Sequence, residues 1–159
     1  MTASIRRNLT LAGAFAVALA APLSAHVGQP ATIQERAHGA QRIVVASVGQ
    51  TTARYQRNQY GDNLIVTHAR LNVEENIKGQ GGAAVVAVEG GTVNGITLHV
   101  SSLPMLNAGE RAVFFLNPDG TGEYQPYLRG QGILKLDNTN HVKGSSLTLD
   151  DIRRMSQGQ

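Results

Sequence analysis

Leu64-Ile65-Val66-Thr67-His68-Ala69-Arg70-Leu71-Asn72-Val73-Glu74-Glu75 reads as one long strand. Ile65, Ala69, Leu71 and Val73 alternate with Val66, His68, Arg70, Asn72 and Glu74. A side-chain period of two, apolar on one side and increasingly polar on the other, belongs to an antiparallel strand covered on one face. The flanking residues support this. Asn58-Gln59-Tyr60-Gly61-Asp62-Asn63 before it and Lys78 to Gly82 after it are turns by composition. Before the first turn, the β-branched run Ile43-Val44-Val45-Ala46-Ser47-Val48 continues towards Tyr55 as a second strand. After the second turn, Ala83 to Glu89 reads as a buried strand.

The same grammar continues to the end of the chain. Asn94-Gly95 between Val93 and Ile96 is a two-residue hairpin signal, and Ile96 to Val100 returns from it. Ala112 to Leu116 is a strand stopped by Asn117-Pro118-Asp119-Gly120. Tyr124 to Leu128 and Gly132 to Leu136 follow, then a turn at Asp137-Asn138-Thr139-Asn140. Short strands at regular spacing predict a mainly β fold, a small antiparallel barrel or sandwich. Two helical patterns flank it. Thr32 with Glu35 three residues on opens a helix to Arg42, with Ile33, Ala37 and Ala40 near one face. Leu147 to Met155 closes the chain, capped by Thr148 with acids in its first turn. The glycines read structurally: Gly90-Gly91 as a bend at a barrel corner, and Arg129-Gly130-Gln131-Gly132 as a place of close backbone approach.

The first residues read as an export signal. Arg6 and Arg7 precede an uncharged run from Leu9 to Ala21, and Pro22-Leu23-Ser24-Ala25 follows with small residues. The run is about 13 residues, short of the roughly 20 that a spanning helix needs. Cleavage after Ala25 leaves residues 26–159 as a single domain; cleavage after Ala20 also fits. Arg6-Arg7-Asn8-Leu9 is a partial twin-arginine pattern, so the export route stays open. The expected location is the periplasm or outside the cell, with no stable membrane insertion after cleavage.

Composition narrows the function. Of 159 residues, 42% are apolar and 16% charged, which excludes a disordered polyelectrolyte and a multi-span membrane protein. There is no Cys, so disulfides, thiolate metal sites and cysteine nucleophiles are all excluded. Losing Arg6 and Arg7 takes the formal charge from +3 to +1. Beyond Arg153-Arg154 no basic cluster remains, and Tyr55, Tyr60, Tyr124 and Tyr127 are scattered, so no nucleic-acid partner is expected.

Several blocks taken together are familiar. They are Ile43-Val44-Val45-Ala46, Ile65-Val66-Thr67 and Val73-Glu74-Glu75 with Lys78-Gly79, then Gly90-Gly91 with Gly95, Pro104 and Gly109-Glu110-Arg111. Phe114-Phe115-Leu116 and Gly130-Gln131-Gly132 complete the order. Over residues 32–143 the chain resembles a group of uncharacterised exported bacterial proteins with a small barrel of the oligonucleotide/oligosaccharide-binding (OB) type. That barrel is similar in outline to the netrin-like domain of tissue inhibitors of metalloproteinases. The resemblance implies an OB-like barrel and no particular reaction. The netrin-like domain relies on cysteines, including its mature N-terminal one, which this chain lacks.

The residues that could carry chemistry are few. No nucleophile elbow, phosphate loop or two-His helical zinc motif is present, so no enzyme activity and no cofactor are expected. The leading expectation is a binding or accessory module for an exported protein or glycan partner. Its candidate ligand residues are His68 and Arg70, which share a strand face, and Arg129 and Gln131, which flank a glycine. The alternative is copper. His26 at a mature N-terminus would offer its α-amine and a ring nitrogen, with His68 or His99 as second donor.

Overall fold

The computed structural model describes residues 30–58 and 60–157. The expected export segment and His26 lie outside the described residues. In chain order the elements are α1 (Ile33–Gly39), β1 (Arg42–Arg57), β2 (Asn63–Lys78), β3 (Ala84–Glu89) and the hairpin β4 (Gly91–Val93) and β5 (Ile96–Leu98). Then come β6 (Arg111–Pro118), β7 (Tyr124–Pro126), a 3₁₀ turn (Arg129–Gly132), β8 (Ile133–Lys135) and α2 (Leu149–Gln157).

The strands run β1-β2-β3-β7-β6, and β6 pairs back with β1 to close an OB-like barrel. Closure explains one departure from an all-antiparallel expectation. Directions can alternate all the way round only when a ring has an even number of strands. With five, one seam must be parallel, and it falls between β3 and β7. That seam has a single bridge, Val86 to Tyr124. β8 extends the same edge of β6 beyond β7.

Two cores sit back to back on β1 and β6. Val44, Ala46, Leu71, Val86, Ala112 and Phe114 fill the barrel. Ile43, Val45, Val113 and Phe115 point outward and are covered by Ile33 and Ala37 of α1 and by Leu149 and Ile152 of α2. This is why Ile43–Ala46 and Ala112–Leu116 are unbroken apolar runs: successive residues face opposite sides, and both sides are dry. β3, expected as a buried strand, is buried on one face only. Ala84, Val86 and Val88 are buried, while Val85, Ala87 and Glu89 are half-exposed, because no helix covers the barrel there.

Both helices start as their caps dictate. Thr32 and Glu35 form a reciprocal capping box, and Thr148 and Asp151 do the same for α2. α1 ends at Gly39, short of the expected Arg42, because Ala40 turns to extended backbone and its N–H bonds Arg36 O. Lys78 Nζ donates to Ala37 O at 2.6 Å at that end. Arg153 ties α2 to the barrel through Glu75 of β2. The β4–β5 turn is type I′, with φ of +50° at Asn94 and +78° at Gly95. Among the described residues no helix is long and apolar enough to cross a membrane.

Candidate functional site

The helices cover only part of the barrel. The outer sides of β2 and β3, with the second half of β1, stay open, and the polar side chains of β2 point there: His68, Arg70, Asn72 and Glu74. Register brings Thr52 of β1 opposite His68, and His68 opposite Ala87 of β3. Arg70 stands opposite Val85.

A β-bulge shapes one end of this face. Val48 pairs with Leu71 and Thr51 with Ala69, so Gly49 and Gln50 together oppose Arg70 alone. The extra residue restores the alternation on β1 with a shift, which sends Gln50 and Thr52 to the same side as Arg70 and His68. Gln50, Thr52, His68, Arg70 and Val85 line one depression. Glycine at 49 eases this approach: a Cβ there would lie a tight 3.1 Å from Arg70 O and from the Asn72 side chain.

A groove occupies the other end. Its floor is Leu64, Val66 and Ala87, and its walls carry Gln56, Arg57, Glu89 and Gln125. Groove and depression enclose about 260 and 170 Å³, each well above the roughly 30 Å³ share of one water. Two turns rim the groove, and each is tied by a side chain. Asn58 Oδ1 accepts the amides of Tyr60 and Asp62, both at 2.9 Å. Asp119 Oδ1 accepts those of Thr121 at 2.8 Å and Glu123 at 3.2 Å. Burial opposes the Asp119 charge, but the hydrogen bonds from Thr121 and Glu123 outweigh it and hold its carboxyl below the ordinary aspartate range. Each turn is therefore tied by a side chain of its own.

Between groove and depression runs a hydrogen-bonded chain. Arg54 Nε donates to His68 Nε2 at 3.1 Å, and His68 Nδ1 lies 2.6 Å from Glu123 Oε2. An arginine Nε–H can only donate, so Nε2 must accept and the ring proton sits on Nδ1, directed at Glu123. Alternation puts His68 on the polar side of its strand, yet its side chain is only 10% exposed, because Arg54 and Glu123 lie over it. A long-range nitrogen–proton NMR correlation at neutral pH is expected to show the Nδ1–H tautomer of His68. An Nε2–H tautomer would refute this reading of the chain.

The four predicted ligand residues are not one site. His68 and Arg70 do line the same depression. Arg129 bonds Glu89 at 2.8 Å, nearer the groove. Gln131 accepts the Ala31 amide at 2.7 Å, on the side of α1. The reason is the 3₁₀ turn: at three residues per turn, positions two apart point in divergent directions. The close approach expected there is real, since a Cβ on Gly130 would fall 2.0 Å from Ser102 O.

His68 and Arg129 also have a mechanical role. The β3–β7 seam has one bridge, and both residues brace it from outside: His68–Glu123 joins β2 to the start of β7, and Arg129–Glu89 joins the following turn to β3. For copper, His99 lines a cavity with Thr67, whose side chain points away from that of its neighbour His68. His68 and His99 thus do not converge, and among the described residues no group of three or more His, Cys, Asp or Glu is placed to hold a metal ion.

The missed feature is the pair Gln50 and Thr52. The Gly49-Gln50 step within a strand was the available signal, since a glycine there often marks a bulge. Compared with known proteins, the chain matches no family model and no curated protein.

Proposed function

We propose that this protein is an exported, non-catalytic binding or accessory module that takes a protein or glycan partner on the open face of β1, β2 and β3. One observation carries the reading: the helices seal one outer side of the barrel, while the other carries a groove, an adjoining polar depression and two rim turns tied by side chains. An OB-like barrel offers its β2–β3 face and adjacent loops for such use. The His68–Glu123 pair supports a binding role over a catalytic one. Both ring nitrogens are engaged, and Nε2 takes Arg54 where a general base would need a substrate proton.

The test compares two exposed substitutions. Gln125→Arg places a bulky charge in the groove, and Gln34→Arg places one on α1. Capture of partners from the exported proteome and from a glycan array is expected to fall in the first variant and stay unchanged in the second. Unchanged capture by folded Gln125→Arg, or loss only in Gln34→Arg, refutes the assignment of this face. Tight copper binding by the secreted form, lost in His26→Ala, would replace the reading with a metal-dependent one.

A further inference from the structure

The charges on the open face are unevenly matched. Arg54 is engaged by His68 and Arg129 by Glu89. Arg54, Arg70 and Arg57 have no ion-pair partner among the described residues, but the Arg54 Nε is held by His68, whereas the Arg70 and Arg57 side chains bond none of the described residues. They stand at opposite ends. Arg57 lines the groove and pairs in register with Asn63, seven positions from Arg70 along β2, a span of roughly 24 Å for extended chain. The stretch between them is different in character: the Glu89–Arg129 pair, the turn-bound Asp119 carboxylate and the Gln125 amide stand over the floor of Val66 and Ala87.

Arg70 is the better-built end. The bulge brings the Gln50 amide and the Thr52 hydroxyl into its depression, and no carboxylate lines that depression. A guanidinium with neighbouring neutral donors suits a carboxylate, which it can bind with two parallel hydrogen bonds. The middle stretch then selects between acidic ligands. A peptide with acids at successive positions would meet the Asp119 carboxylate and be repelled. A glycan whose uronates are separated by neutral sugars brings hydroxyls, which can donate to carboxylates, and carries its acids further apart.

We propose that the open face binds an acidic glycan in which uronates are spaced by neutral sugars. One carboxylate sits on Arg70 with Gln50 and Thr52, a second lies near Arg57, and the intervening hydroxyls bond the groove. This inference rests on the binding role proposed above and adds the ligand's chemistry to it.

The probe is a short oligosaccharide of alternating glucuronate and N-acetylglucosamine, compared with its methyl ester and with a polyglutamate peptide, by calorimetry at low and physiological salt. The oligosaccharide is expected to bind, with affinity falling as salt rises. Arg70→Gln is expected to weaken it about tenfold, the loss of one charge-assisted contact, and esterification, which removes the contacts at both ends, to weaken it further. Arg70→Lys, which keeps the charge without the planar fork, should fall between. Arg70 is exposed and lies outside both cores, so these variants fold as the parent does. Equal binding of the ester, unchanged binding by Arg70→Gln, or tighter binding of polyglutamate would each overturn the proposal. If no uronate binds but Gln125→Arg still abolishes partner capture, the acidic-glycan inference fails and the binding role stands. If neither effect appears, both fail.

Discussion

Phe115→Ala is expected to lower stability by about 3–5 kcal/mol, the range for deleting a buried phenylalanine side chain. Phe114→Ala is expected to cost a similar amount, yet the two losses should differ in kind. The residues are adjacent on β6 and point to opposite faces. Both are fully buried. Phe114 packs in the barrel with Val44, Leu71 and Val86, whereas Phe115 packs under Ile33, Ala37 and Ile152 of the two helices. Removing Phe115 opens a cavity between barrel and helices, so native-state hydrogen exchange should rise most in α1 and α2. Removing Phe114 should raise exchange across β1, β2, β3 and β6, and in the helices as well, because they rest on that wall. Urea melts give the magnitudes and exchange gives the location. A cost below about 1 kcal/mol at either position contradicts the two-core description. So does Phe115→Ala if it leaves helix protection unchanged while loosening the barrel.

Arg42→Ala is expected to destabilise the protein by about 3 kcal/mol, measured in the same melts. Arg42 is 4% exposed, although it carries a full charge and no acid pairs with it among the described residues. Its guanidinium donates instead to Gly82 O, Ala83 O and the Tyr124 hydroxyl, and lies 5.2 Å from the centre of the Tyr124 ring. These partners stand on the two sides of the barrel's weakest junction: Ala83 leads into β3, and Tyr124 is the β7 residue in the single parallel bridge. Three acceptors lose their donor when the side chain is removed, and the seam loses its inner brace. Arg42→Lys should recover only part of the loss, since one ammonium cannot reproduce the fork across several acceptors. Arg42→Met separates packing from hydrogen bonding, because it keeps an apolar stem of similar length. Near-parental stability in Arg42→Met would show that the stem matters and the fork does not.

The chain's local patterns are legible because local rules set them. Period two in Leu64–Glu75 gives β2 its apolar and polar sides, and Asn94-Gly95 gives the type I′ turn because both positions need positive φ. Thr32 with Glu35 and Thr148 close two capping arrangements within a few residues of sequence. The unbroken runs at Ile43–Ala46 and Ala112–Leu116 mark the strands that lie between two cores.

The candidate site is less legible, because it depends on residues far apart in the chain. His68 and Arg70 share a face by alternation alone, so that pairing follows from sequence. Glu123 reaches His68 only because ring closure sets β7 beside β3, and no spacing announces it. Gln50 and Thr52 join Arg70 because of a register shift, and β1 by itself does not say what it pairs with or where it slips. Gln131 leaves the group because the turn that holds it is helical where alternation would be extended. Which outer side remains open was settled by where α1 and α2 dock. Their apolar stripes are visible in the sequence, but the strands they cover are fixed only when the barrel closes and Val45, Val113 and Phe115 come together as one surface.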